Sequence, residues 1–387
     1  MIWKLLLAAL SASVGVLLVE IGLRLSGYQA LFNLYSKPSI FWEYDPVLGW
    51  AHTPGSEGTY VGPRPWPIEF ASPIRINSLG LRGPEIEPPP PMGLRVLLQG
   101  DSMVVAFEVP YDQTFGAVLE ASLSDELGVP VQVINAGVRG YGSDQSYLYF
   151  RERGQALDPD LVIHLHSAND VRNNITVHRM RRPFAKPAFA LMDGGLALRG
   201  VPVPHYPLCS AYRMDDDWQL RNISSANVEL MCAIQMTLAD RSALFTLLTL
   251  RLNTYECLIN FLSGLGSPDQ GDLIERTDSP DEGGYEIRLT GALLRAFAGA
   301  VREQGAAFML VGDVPEGVDR AGLEDLGAVL VPTLERPTDP SAPAVTFRRD
   351  AHFNELGHRL MAELLRPRAA QILRERMKTE PAPQPMS

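Results

Sequence analysis

Leu94-Arg-Val-Leu-Leu-Gln-Gly-Asp-Ser-Met-Val-Val-Ala-Phe107 is the stretch on which the reading of this chain turns. Val96, Leu97 and Leu98 form a short, branched apolar run, the kind a parallel sheet covers on both faces. The run breaks at Gly100, where a turn carries no Cβ penalty. Asp101 and Ser102 then fall at the carboxyl end of a strand, where open α/β sheets gather their chemistry. Alone, Gly-Asp-Ser reads more readily as an ordinary turn. The strand ends that follow decide between the two.

Working outward, strands are predicted at Val131–Ile134, Leu161–Leu165, Ala307–Val311 and Ala328–Val331. Helices are predicted at about 113–127, 143–157 and 287–304, with a final amphipathic helix from Glu355 to Arg376. This alternation argues for an α/β domain, a parallel sheet with helices on both faces. Between the third strand and the helix near 287 the alternation stops for more than a hundred residues. A structureless loop of that length is improbable, so residues 172–285 read as an inserted subdomain. It contains a predicted hairpin at Phe189–Leu198, with its turn at Asp193–Gly195, and a helical piece at about 224–251.

Three further segments bring polar residues to the strand ends. The second strand runs into Asn135-Ala-Gly-Val-Arg-Gly-Tyr-Gly142, whose glycines allow a backbone amide to face a ligand. The third runs into His166-Ser-Ala-Asn-Asp170, and Phe347-Arg-Arg-Asp-Ala-His-Phe-Asn-Glu-Leu-Gly-His358 stands before the last helix. Ser102, Asp350 and His352 supply a nucleophile, an orienting carboxylate and a base. A serine hydroxyl needs that base, because at neutral pH it is otherwise a poor nucleophile. The N–H groups of Ser102 and Gly140 and the Asn169 amide are the candidates for an oxyanion hole.

Ser102, Gly140, Asn169 and His352, in this order and in these local settings, resemble the SGNH (GDSL-type) hydrolases. The resemblance covers about 94–171 and 286–375. More loosely, the leading apolar segment, Asn77–Arg82 and Asn135–Gln145 look like membrane-anchored bacterial members of that family. It implies a flavodoxin-like three-layer α/β/α sandwich and ester hydrolysis or, in some branches, O-acyl transfer. It implies neither metal nor cofactor. The chain departs from the family pattern twice: Ser167 stands where the family usually has Gly, and Asp350 is two residues before His352 where three is commonest.

Blander readings compete at several positions. Asn169 would serve equally as a helix cap. His164 and His166 share a strand face and suggest a metal site with His352, but alternation in a buried strand explains them, and no carboxylate–histidine spacing accompanies them. His358 is assigned to the surface of the last helix. Tyr141 and Asp144 either line the site or belong to a turn and a helix start.

Composition limits the partners. The 387 residues carry a net charge of −11, which leaves no basic excess for nucleic acid. Lysine occurs only at positions 4, 37, 186 and 378. Cys209, Cys232 and Cys257 have neither metal-type spacing nor the density of a disulfide scaffold. Residues 5–23 are apolar apart from Glu20 and, with Met1–Trp3, approach the roughly 20 residues that span a bilayer. An anchor over 1–27 is favoured above a cleaved signal peptide because no polar cleavage region interrupts the run. That arrangement places the rest outside the cytoplasm, on the periplasmic side of an inner membrane. Residues 28–92 form a Pro-, Gly- and aromatic-rich segment in which Trp42, Trp50, Tyr60 and Trp66 are expected to pack onto the main domain. The hydrolase domain is set at 93–375 and a disordered, Pro-rich tail at 376–387. The expected partner is an ester: a small molecule, a lipid or an acylated glycan. A silent binding scaffold is the alternative of another class.

Overall fold

The computed structural model describes residues 1–26, 43–62, 68–88, 93–178, 184–192, 195–205, 212–223, 226, 230, 234, 238, 241–252, 284–335, 339 and 341–379. Trp42, Trp66, the turn residues Asp193 and Gly194, the three cysteines and residues 380–387 lie outside them.

Five strands, β1 (Leu94–Gln99), β2 (Val131–Asn135), β3 (Leu161–Leu165), β4 (Ala307–Val311) and β5 (Ala328–Val331), make one sheet. All four pairings are parallel, in the order β2-β1-β3-β4-β5. This is the doubly wound, flavodoxin-like order, and it reverses direction between β1 and β3. The segment after Gln99 therefore opens into the crevice where such sheets hold ligands.

Side-chain alternation divides the core into two layers. On one face Val96 and Leu98 of β1, Ile163 of β3 and Met309 of β4 pack against Phe115, Leu119 and Leu123 of one helix (Phe115–Leu127) and Met361 and Leu365 of another (Glu355–Thr379). On the other, Leu97, Val162 and Phe308 meet Leu148 and Phe150 of the helix Ser143–Glu152. Leu289, Leu293 and Phe297 of the helix Tyr285–Glu303 pack there too; they recur every four residues, so one stripe faces the sheet. Each leucine so buried contributes about 1.5–3 kcal/mol.

The last helix continues to Thr379, and Arg376 Nε lies 3.3 Å from Asp160 Oδ1, so the tail does not begin at 376 as the composition suggested. His358 is also corrected. It is buried, and its Nδ1 accepts the Phe115 backbone N–H at 3.3 Å. Its position fits the buried stripe of Met361, Ala362 and Leu365, and burial pushes its pKa down to about 3.

The segment before the sheet braces the domain. Trp50 and Tyr60 are buried in the main core. Asn77 closes a tight turn by accepting the Leu79 and Leu81 N–H groups, at 3.0 and 2.9 Å. The turn delivers Arg82 beneath the residues that follow Ser102. There its guanidinium donates to the carbonyls of Val105 and Val109, both at 2.6 Å, and to that of Ala106. The insertion has a small core of its own, with Val177, Ala188, Val203, Tyr212 and Leu220. The hairpin Ala188–Met192/Gly195–Arg199 forms as expected. A buried Lys186–Asp144 ion pair ties the insertion to the main domain, which assigns Asp144 a packing role.

The apolar helix Ile2–Leu25 is long and apolar enough to cross a membrane, with a mean hydropathy of 2.2, and none of it is buried. Glu20 is the acceptor for another helix, Ala243–Leu252: Ala243 N–H, Leu244 N–H and Ser242 Oγ donate to its carboxylate at 2.9, 2.8 and 3.0 Å. The helical piece expected over 224–251 is interrupted at Ser242, where this clasp forms.

Candidate active site

Gly100 turns the chain out of β1 with φ +151°; a Cβ there would stand 2.7 Å from Val104 Cγ2 and 2.9 Å from the Leu165 carbonyl. Only glycine allows so close a crossing. Asp101 organises the next turn. Its Oδ1 accepts Met103 N–H at 2.9 Å, capping the short helix Ser102–Val105, and the Ser167 hydroxyl at 3.1 Å. Its Oδ2 accepts Asn169 Nδ2 at 3.1 Å.

Ser102, at the start of that short helix, is half-buried. Its Oγ lies 2.8 Å from His352 Nε2. On the far side of the ring, Nδ1 is hydrogen-bonded to Asp350 Oδ1, which also accepts the His352 backbone N–H at 2.9 Å. The two-residue spacing that departs from the commonest family pattern is thus compatible with the contact, because one carboxylate reaches both the backbone and the ring. Burial pushes the Asp350 carboxyl upward, but the hydrogen bonds from His352 and the nearby Arg139 guanidinium outweigh it and hold it below its usual range. His352 and Asp350 keep 19% and 17% side-chain exposure.

The structure brings Asn169 beside this group. It occupies a helix N-cap position before Asp170–Asn174 but makes no side-chain cap hydrogen bond. Its amide points to Asp101 instead, its one side-chain hydrogen bond among the described residues, and the residue is exposed. The Ser102 N–H, first in its short helix, has no intrahelical acceptor. Gly140, with φ +85°, forms part of the turn between β2 and the helix Ser143–Glu152. Tyr141 is turned away: buried, its hydroxyl donates to the Trp50 carbonyl at 2.6 Å.

Two residues that the sequence reading passed over belong to the site. Glu108 Oε1 lies 3.4 Å from His352 Nδ1 and 2.6 Å from Arg139 Nη1, and both Glu108 and Arg139 are buried. Burial disfavours the Arg139 cation, yet the adjacent Glu108 carboxylate dominates and raises its pKa. Nothing local announces either residue, since they are 31 positions apart and meet only in the fold.

His164 and His166 do not join His352. They close instead on Asp170 and Ser143: Ser143 Oγ lies 3.0 Å from His164 Nε2, 3.0 Å from His166 Nδ1 and 2.9 Å from Asp170 Oδ2. A carboxylate does accompany the two histidines, contrary to the sequence reading, because Asp170 lies 3.3 Å from His166 Nδ1. All four side chains are buried. Burial pushes His164 down to about 3 and raises the Asp170 carboxyl. A cavity of about 370 Å³ lined by Arg302, Phe308 and Glu324 sits at the amino end of β4, away from the strand ends that carry Ser102.

No family model matches this chain, and no curated protein matches it. Among solved structures it is similar to TesA, with 13% identity and a TM-score of 0.35 over 72% of this chain and 99% of that one. It is also similar to the psychrotrophic esterase EstA from Pseudoalteromonas sp. (11%, TM-score 0.35, 74% and 99%) and to the acetyl xylan esterase AlAXEase (11%, 0.33, 70% and 98%). Likeness at such TM-scores carries no functional weight. The sheet order and the site distances stand by themselves.

Proposed function

We propose that this chain is a membrane-anchored serine esterase of the SGNH type that works through an acyl-enzyme. Ser102 Oγ attacks the ester carbonyl while His352 Nε2 takes its proton; His352 then returns that proton to the leaving alcohol. Water, activated by the same histidine, releases the acid. Asp350 fixes the tautomer that leaves Nε2 free to accept. Ser102 N–H, the Asn169 amide and Gly140 N–H are the oxyanion donors in this reading. The observation that carries it is the 2.8 Å Ser102–His352 contact with Asp350 on the opposite ring nitrogen, at the crevice where the strand order reverses.

The helix Ile2–Leu25 serves as the anchor, with the catalytic domain outside the cytoplasm. Substrates are esters reachable from that side, including lipids and acylated glycans. A sugar hydroxyl replacing water as acceptor would turn the same triad into an O-acyltransferase. The test is fluorophosphonate labelling of the full chain in detergent, followed by a panel of short- and long-chain esters and acetylated glycans. The label should map to Ser102 and vanish in Ser102→Ala. Undiminished labelling of that variant would sink the reading.

A further inference from the structure

Glu108 stands on the same ring nitrogen of His352 as Asp350 does. Its Oε1 is 3.4 Å from Nδ1, its side chain is wholly buried, and its Oε2 has no hydrogen-bond partner among the described residues. Arg139 donates to Oε1 at 2.6 Å and is itself buried, its guanidinium 5.1 Å from the centre of the Tyr60 ring. A carboxylate taken out of water needs a partner, and Arg139 supplies one. That pairing does not require the carboxylate to face the base, yet it does.

Charge counting shows what the position achieves. With His352 neutral, Asp350, Glu108 and Arg139 sum to −1; once His352 has taken the Ser102 proton the group is neutral. Without Glu108 the same step would end at +1, in surroundings that screen charge poorly. Three further neighbours face the group: the buried Arg82 guanidinium, which acts on both Glu108 and Arg139, Tyr60 beside Arg139, and His358, which burial keeps neutral down to about pH 3.

We propose that Glu108 is a positioning residue for His352: a second acceptor for the Nδ1 proton, held in place by Arg139, that favours the imidazolium and keeps the ring oriented when Asp350 is lost. This rests on the reading of His352 as the base. No bond to substrate is involved, and the proton moves only from Ser102 Oγ to His352 Nε2 and back.

The experiment is a pH profile of kcat and kcat/KM for the full chain on a short p-nitrophenyl ester, with Asp350→Asn, Glu108→Gln, Glu108→Asp and the double variant Asp350→Asn/Glu108→Gln. An isolated triad loses about 10⁴-fold in kcat when its aspartate becomes asparagine. Here Asp350→Asn should lose only about 10²-fold, and the double variant should fall at least about tenfold below it. In Glu108→Gln the acid limb should move down by about one pH unit, since a nearby opposite charge favours the charged form. Glu108→Asp, which keeps the charge, should restore most of that shift. A purely structural Glu108 would lower the thermal midpoint and leave the limb in place. Asp350→Asn removes no hydrogen bond between Glu108 and Arg139, so a full 10⁴-fold loss there overturns the proposal even if Glu108→Gln does not fold. His352→Ala separates the two levels. If it stays active, the esterase reading itself fails; if it is inactive while the acid limb of Glu108→Gln is unmoved, only the role of Glu108 fails.

Discussion

Ser102, His352 and Asp350 stand at the strand ends with access to solvent. Ser143, His164, His166 and Asp170 gather the same residue types in the buried interior, at 3% exposure or less. In the first group the serine hydroxyl faces one histidine nitrogen and the carboxylate holds the other, so a proton has a defined path through the ring. In the second the serine is the hub: three partners converge on one oxygen, and the low pKa of His164 keeps that imidazole neutral. Residue identity therefore does not make a nucleophile. Its exposure, and what the histidine's second nitrogen touches, decide.

Substitution of the two serines should separate the groups most sharply. Ser102→Ala should cost about 10⁶-fold in kcat with an unchanged thermal midpoint, by analogy with the loss of other triad serines. Ser143→Ala should retain fluorophosphonate labelling at Ser102 and destabilise the fold by about 1–3 kcal/mol, the cost of leaving buried polar groups unpaired. Abolished labelling in Ser143→Ala would mean that the two groups are functionally one.

Asn169 comes next in size. As an oxyanion donor it acts on charge present only in the transition state, so Asn169→Ala should lower kcat about 10²–10³-fold and spare KM. Its link to Asp101 makes a stability readout necessary beside the kinetics. A lowered midpoint with unchanged kcat would remove Asn169 from the site and leave it as a tether of the Gly100–Ser102 turn.

The last contrast is a slope of stability against pH. His164 and His358 are held near pKa 3 against an ordinary 6.5, so between those values the unfolded chain binds protons that the folded chain refuses. Stability therefore falls as pH drops from 6.5 toward 3. His358→Gln keeps an acceptor for the Phe115 N–H and should flatten part of that slope in thermal melts across the window. An unchanged slope would place the acid sensitivity elsewhere, for instance in the depressed Asp350 carboxyl, whose stabilising share is present above the ordinary carboxylate range and lost below it.

Much of this could be read in the chain because the physics is local. Val96–Leu98 and Leu161–Ile163 are short apolar runs with no other use than a sheet buried on both faces. The polar residues that interrupt them, Ser102 and Asn169, inherit their places from the strand ends. Asp350 and His352 sit just before a helix whose stripe is plain. That same stripe carries the signal for His358, which is three, four and seven positions from Met361, Ala362 and Leu365; its period places the residue inside where its polarity suggests the surface. Glu108 and Arg139 had no such signal, because their pairing exists only after β1 and β2 lie side by side. The meeting of Asp170 with His164 and His166 likewise depends on how the chain turns after β3.

The clasp between Glu20 and the start of the helix Ala243–Leu252 bears on how the molecule is made. Its hydrogen bonds join residues 222 to 224 positions apart. At synthesis rates of roughly 5–20 residues per second, the acid emerges roughly 10–45 s before the amides that receive it. During that interval Arg24, one helical turn on, is the partner within reach on the same helix. A contact spanning so much chain also closes late on loop-entropy grounds. The insertion therefore docks on the helix Ile2–Leu25 only after residues 242–244 have been made, long after Glu20 itself.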